Sequence, residues 1–175
     1  MFVSFPLSIH IMIEMYFRGE MMDLKIARTK ISEAETLLNI QKEAFQSDLK
    51  KYKDYDTSPA AEPLDFFKYK LNHSLHYTIF LNGNIAGGIC IMKITDTHYR
   101  LFRIFLSPDI QNRGLGSKIL TQMEKKFPQV KEWSLDTPKD NKRTRHFYEK
   151  FGYKKTKENK INDRLTLVEY EKKKI

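Results

Sequence analysis

The sequence predicts a single α/β domain with a mixed, mostly antiparallel central sheet flanked by helices. Three observations carry that expectation. Short β-branched and aromatic runs alternate with segments of helical periodicity. An Asn82-Gly83 pair joins two of those runs as a hairpin, because both residues tolerate positive φ. No repeat, low-complexity linker or domain boundary divides the 175 residues, of which 41% are hydrophobic, with 12 Phe and 9 Tyr. That length suits one domain with a core and is short for two.

The elements follow in order. Lys25 to Thr29 reads as a first strand. Ser32-Glu33-Ala34-Glu35 has the form of a capping box. It opens a helix with Ala34, Leu37, Leu38, Gln41, Ala44 and Phe45 on one face. Ser47 to Ala61 is polar and aromatic and reads as a loop. Pro63 suits the first turn of a second helix, Leu64 to Leu71. Tyr77 to Leu81, Ile85 to Ile94 and Tyr99 to Leu106 form a three-stranded meander, in which Gly87-Gly88 marks a bulge or close packing. Pro108 ends it. Ser117 to Phe127 is a helix, Trp133 to Leu135 a short strand, and Asn141 to Phe151 a helix closed by Gly152. Lys154 to Ile161 and Leu165 to Tyr170 pair around Asn162-Asp163 as a last hairpin.

Composition excludes several classes. Cys90 is the lone cysteine, so neither an intrachain disulfide nor a multi-Cys metal site can form. No run of about 18 uncharged apolar residues occurs, so a spanning helix is not expected. The expectation is a cytoplasmic protein without membrane partners. The net charge is +9. From Lys139 onward there are 13 Lys or Arg against 6 Asp or Glu. That excess fits a solvated surface, a site for a phosphate-bearing cofactor, or a nucleic-acid surface. Interleaving with Asp140, Glu149, Glu158 and Asp163 weakens the last. Residues 1–21 stand apart. They lack a basic start and a small-residue cleavage site. Arg18-Gly19-Glu20, whose codons can spell a purine-rich ribosome-binding sequence, stands just before Met21-Met22. Two readings stay open: a translated leader ahead of a domain over 22–175, or an extra amphipathic segment.

Gln111-Asn112-Arg113-Gly114-Leu115-Gly116-Ser117 lies between a strand and a helix. Its glycines allow close backbone approach, and the helix start adds N–H groups and a positive dipole end. This suits a pyrophosphate. It is neither a Walker loop nor a dinucleotide fingerprint. Further on, Asn141 and Tyr148 lie two helical turns apart on one face, followed by Gly152-Tyr153. With both motifs in order, the sequence resembles the GNAT superfamily of N-acetyltransferases. That family's acetyl-CoA loop is Gln/Arg-x-x-Gly-x-Gly/Ala, and its later motif is Asn, then Phe-Tyr, then an aromatic after Gly. The resemblance is sharpest from Tyr99 to Tyr153.

The resemblance implies an acetyl-CoA-dependent N-acetyltransferase in which a primary amine, of a small molecule or a peptide, attacks the thioester directly. Acetyl-CoA would lie in a V between Tyr99–Leu106 and Trp133–Asp136. Ile104, Phe105 and Leu106 would hold the pantetheine and polarise the acetyl carbonyl. Gln111 and Asn112 would belong to the cofactor-binding loop, the amides of Arg113, Gly114, Leu115, Gly116 and Ser117 would take the pyrophosphate, and Asn141 would hold the pantetheine arm. Tyr148 would protonate the departing thiolate or hydrogen-bond to it. No metal is expected. His73, His76, His98 and His146 read as surface or edge residues, and Cys90 as a small buried one. Two other classes stay in view: a catalytically weak acyl-CoA-binding regulator, and, less favoured, a basic nucleic-acid module. A homodimer stays open.

The pattern departs from the family at one point. The strand Tyr99 to Leu106 lacks the carboxylate many members use as a base, and carries Arg100 and Arg103. Asp136, Glu43, Asp54, Asp56 and Glu62 are the available acids, each expected as a solvated surface charge. On the acceptor side, Tyr52, Tyr55, Asp54 and Asp56 either hold an amine or form a plain loop.

Overall fold

The computed structural model describes residues 22–174, so both readings of residues 1–21 fall outside the described residues. The elements are β1 (Leu24–Arg28), α1 (Ala34–Tyr52), α2 (Leu64–His73), β2 (Leu75–Leu81), β3 (Asn84–Lys93), β4 (His98–Leu106), α3 (Leu115–Lys126), β5 (Glu132–Pro138), α4 (Lys142–Lys150), β6 (Lys154–Lys160) and β7 (Thr166–Lys173). They build one seven-stranded sheet in the order β1-β2-β3-β4-β5-β7-β6. Only β4 and β5 run parallel; every other pair is antiparallel. The expected mixed sheet is therefore present.

The β2–β3 turn forms as expected. Asn82 and Gly83 both have positive φ, 51° and 80°, which matches the twist of the strands they join. The Asn82 side chain also accepts from Asp23 N–H at 3.0 Å, tying down the start of β1. Gly87 marks close packing. A Cβ there would lie 2.1 Å from the Phe105 carbonyl oxygen of β4. The register irregularities fall elsewhere, between Ile79 and Phe80 and between Cys90 and Ile91. At the second, Cys90 faces Arg103 and Ile91 faces Leu101, so Phe102 is the extra residue and β4 bends there.

Each sheet face has its own packing. One carries the larger core, including Ile89, Ile91, Ile119, Met123, Trp133, Leu135 and Val168. The other packs Ala34, Leu37, Leu38, Phe67, Leu71 and Phe105 under α1 and α2. β6 closes one edge of the sheet, with Lys154, Lys155, Lys157 and Lys160 all exposed.

Three local expectations are corrected. Ser32 does not cap α1. Ile31–Glu33 form a short 3-10 turn, and Glu33 accepts from Lys30 N–H at 3.0 Å. The helix also runs on to Tyr52 and ends where Lys53 adopts a left-handed φ of 51°, so residues 47–52 of the expected loop are helical. Its apolar stripe continues through partly buried Ala44 and Phe45 to buried Tyr52. Pro63 sits just before α2 rather than inside it.

Gly87→Ala forces β3 away from β4, and overpacking of that kind costs about 1–3 kcal/mol or more. Gly83→Ala meets nothing within 4 Å and carries only the strain of its positive φ, about 1–2 kcal/mol. Urea unfolding should rank the two in that order. Equal midpoints would refute the tight β3–β4 approach.

Candidate active site

The β4–β5 ladder is three residues long: His98 pairs with Glu132, Tyr99 with Trp133 and Arg100 with Ser134. Beyond Arg100, β4 stays with β3 while β5 stays with β7 out to Pro138. The two strands part, and a cleft of about 810 Å³ opens between them. Ser107 N–H donates to the Ala86 carbonyl at 2.9 Å. By alternation Phe105 also turns its amide to β3, leaving the backbone of Ile104 and Leu106 on the edge facing the cleft. The Phe105 ring goes the other way, into the core under α1 and α2.

Loop 107–114 lies at one end of this cleft. Gln111 Nε2 donates to the Leu106 carbonyl at 2.9 Å, and Arg113 donates to the Asp109 carbonyl at 3.0 Å. Asn112 and Gly114 take positive φ, 68° and 74°. Gly114 starts α3, and nothing lies within 4 Å of where its Cβ would be. Leu115 buries its side chain in the core, so only its backbone is available. The first amides of α3 have no partner within the helix, which makes this end a donor-rich seat for an anion. Gly116 differs from the expectation. A Cβ there would touch the Phe147 ring at 3.4 Å, so its smallness serves the packing of α3 against α4. Arg143, which the sequence reading passed over, hydrogen-bonds Asn112 and lines the cleft beside the loop.

Asn141 and Tyr148 come from α4 as the spacing predicted, and both line the cleft. Asn141 caps α4, its side-chain oxygen accepting from Thr144 N–H at 3.1 Å. Tyr148 is only 6% exposed. Burial pushes its phenol pKa up, and the nearby Asp136 carboxylate adds to this. The hydroxyl is therefore a protonated donor at neutral pH.

The two arginines of β4 have carboxylate partners. Arg100 pairs with Asp136, across the cleft on β5. Arg103 Nη1 donates to Glu62 at 2.6 Å and to Gln41 at 3.2 Å. Glu62, expected on the surface, is 6% exposed. It also takes Lys70 as a partner and a 2.8 Å hydrogen bond from Gln41. Burial raises the Glu62 pKa, but Lys70, Gln41 and Arg103 outweigh it and leave the carboxyl below its ordinary value. His76 is a second correction: it is 2% exposed, in a row across the sheet with Cys90 and Arg103. Its Nδ1 lies 2.9 Å from the Thr29 hydroxyl. Cys90 is buried as expected, and burial pushes its thiol up. Glu43 and Asp56 are exposed. Asp54 accepts from Thr57 N–H at 3.0 Å, Tyr55 is exposed, and buried Tyr52 donates to Asp140 at 2.5 Å.

No group of three or more metal-ligating side chains occurs among the described residues, and none of the described helices is long and apolar enough to cross a membrane. The model of the Acetyltransferase (GNAT) family matches residues 34–153. The chain belongs to the GNAT acetyltransferase family. Solved structures agree in fold. The ribosomal-protein-S18-alanine N-acetyltransferase from Escherichia coli superposes with a TM-score of 0.69 at 16% identity, over 86% of this chain and 93% of its own. The PaiA N-acetyltransferase from Thermoplasma acidophilum, solved with coenzyme A, gives 0.64 at 19% identity, over 87% of this chain and 100% of its own. Ard1 from Thermoplasma volcanium gives 0.67 at 17%, over 87% and 98%. No curated protein matches in sequence. For a GNAT chain, the split between β4 and β5 and the loop beside it are the features the sequence motifs pointed to.

The buried layer behind β4 should show itself in acid. Burial, with Lys70, Arg28 and Arg103 nearby, lowers the His76 pKa from 6.5 to about 3 against the opposing pull of Glu62. A lowered folded-state pKa means that the unfolded chain binds this proton first. The contribution is complete above pH 6.5 and is lost as pH falls toward 3. Stability between pH 6.5 and 5 should decline by up to about 1.4 kcal/mol per pH unit, and His76→Asn should flatten that decline. An unchanged slope in the variant would refute a neutral buried His76.

Proposed function

We propose that this GNAT protein transfers the acetyl group of acetyl-CoA to a primary amine by direct attack in a ternary complex. The observation that carries the reading is the early parting of β4 and β5. It turns the Ile104 and Leu106 backbone toward a cleft that has an anion seat at one end and the Tyr148 phenol on its wall. The donor set suits acetyl-CoA. The first amides of α3 and the Arg143 guanidinium complement the diphosphate. The β4 edge complements the amide groups of the pantetheine arm, with Asn141 opposite. Acetyl-CoA supplies an activated thioester; the rest is positioning and electrostatics by the chain.

The β4 edge N–H groups orient the acetyl carbonyl and stabilise the oxyanion as the amine nitrogen bonds to the carbonyl carbon. The carbon–sulfur bond then breaks, and Tyr148 gives its proton to the sulfur. The amine's own proton leaves to solvent, from which the phenolate is reprotonated, so protons balance. Glu62 and Asp136 are ion-paired with Arg103 and Arg100, so neither serves as a strong base. The acceptor's own basicity sets how much reactive free amine is present.

Tyr148→Phe keeps the ring and removes the donor. Turnover should fall about a hundredfold, the lower part of what acid–base groups contribute, with acetyl-CoA affinity unchanged by calorimetry. Full activity in the variant would refute the role given to Tyr148. A separate test addresses the anion seat. Gly114→Val places a branched side chain at a φ of 74° beside the first amides of α3, and should weaken CoA binding at least about tenfold while α3 packing survives. Unchanged affinity in the folded variant would refute the assigned phosphate end.

A further inference from the structure

We propose that Asp48 selects the acceptor by holding the second ammonium group of a small aliphatic diamine, away from the amine that is acetylated. The proposal rests on the acetyl-transfer reading above and narrows it to a substrate class.

Asp48 lies near the end of α1, half-buried, in the stretch the sequence reading took for a loop. It lines the same cleft as Asp136 and Tyr148. The other acids around the cleft are engaged. Asp136 pairs with Arg100, Glu62 with Arg103 and Lys70, Asp140 with Lys51 and Tyr52, and Asp54 with Thr57. Asp48 has no hydrogen bond or ion pair within 4.0 Å among the described residues. Burial raises its pKa; Lys51 works against this and Asp140 adds to it. A carboxylate in that position gains from an arriving cation more than its paired neighbours do.

The surroundings narrow the chemistry. Ala44, Phe45 and Phe102 line the same cleft, an apolar complement to a methylene chain. Asp136 lies on β5, two residues past the last pair with β4, whereas Asp48 lies on the closing turns of α1, whose Tyr52 reaches Asp140 beyond the end of β5. The two carboxylates therefore mark separate places along one cleft. A molecule with an amine at each end meets both: one end near the thioester, the other at Asp48. The cleft is about 810 Å³ in all and also takes the pantetheine arm, so the room left suits a short diamine.

The test is calorimetry on the CoA-loaded full chain with 1,5-diaminopentane, pentylamine and a lysine-bearing tripeptide, for wild type, Asp48→Asn and Asp48→Glu. Wild type should bind the diamine at least about tenfold tighter than pentylamine, the equivalent of one charge-assisted hydrogen bond. Asp48→Asn should erase that preference with CoA and pentylamine affinities unchanged, and Asp48→Glu should restore most of it. In turnover the Asp48→Asn loss should fall on KM for the diamine and leave kcat intact. Equal binding of the two amines by wild type, or a preference that survives Asp48→Asn, would overturn the proposal. A larger Asp48-dependent preference for the tripeptide would overturn the small-diamine assignment. An Asp48-dependent diamine preference without acetyl transfer would support Asp48 and refute the reaction instead.

Discussion

The site depends on the brevity of one strand pairing. Parallel β4 and β5 share only three residue pairs, from His98–Glu132 to Arg100–Ser134. Sheet amides that lose a strand partner need another, and here the inner edge of β4 is directed at a cleft. The split has local causes. The extra residue at Phe102 bends β4. β5 is held by β7 along its whole length, from Glu132–Lys173 to Pro138–Leu167. Gly87 lets β3 close tightly on the bent part of β4. Each strand thus follows its better partner, and the opening results.

The second constraint is electrostatic. β4 carries two arginines, Arg100 and Arg103, and no carboxylate. Both are neutralised, and the extra residue at Phe102 leaves them on the same face of the sheet, opposite Met92 and Cys90. Arg103 turns under α1 and α2 to Glu62 and Gln41, and Arg100 reaches across to Asp136. The Arg103–Glu62 pair is enclosed and costly to break, so it braces β4; the Arg100–Asp136 pair is more open to solvent. Beside them the cleft is lined by the β4 backbone edge and by the Tyr148 phenol, whose pKa burial raises. α3 and α4 keep those parts together, because Gly116 lets Phe147 approach and Arg143 bonds Asn112.

Much of this was legible along the chain because it is local. Asn82-Gly83, Gln111 to Gly116 and Gly152 write their own backbone geometry, and Gly114 and Gly152 do take positive φ. The spacing of Asn141 and Tyr148 puts them on one helix face, the resemblance to the GNAT motif singles Tyr148 out, and both line the cleft. What the sequence hid depends on distant partners. Glu62 reads as a surface charge until Arg103, 41 residues away, and Gln41, 21 residues away, enclose it. His76 reads the same way until Phe67 packs edge-on against its ring. Asp48 was hidden differently. The polar end of α1 looks like a loop, and its inward face becomes visible only when the apolar stripe is carried on through Phe45 to Tyr52.

The lysine-rich β6 edge bears on how this sheet meets its neighbours in a crowded solution. An outermost strand offers a row of backbone groups on which foreign chains can template. Lys154, Lys155, Lys157 and Lys160 line that row. Only some of their charge is answered, by Glu158 for Lys155 and by Asp163 for Lys160. Two such rims brought together would set ammonium against ammonium before any ladder could form. The repulsion weakens as the Debye length shrinks from about 10 Å at 0.1 M salt to about 3 Å at 1 M. Colloidal stability at this rim is therefore bought with charge, and high salt is the condition that removes it.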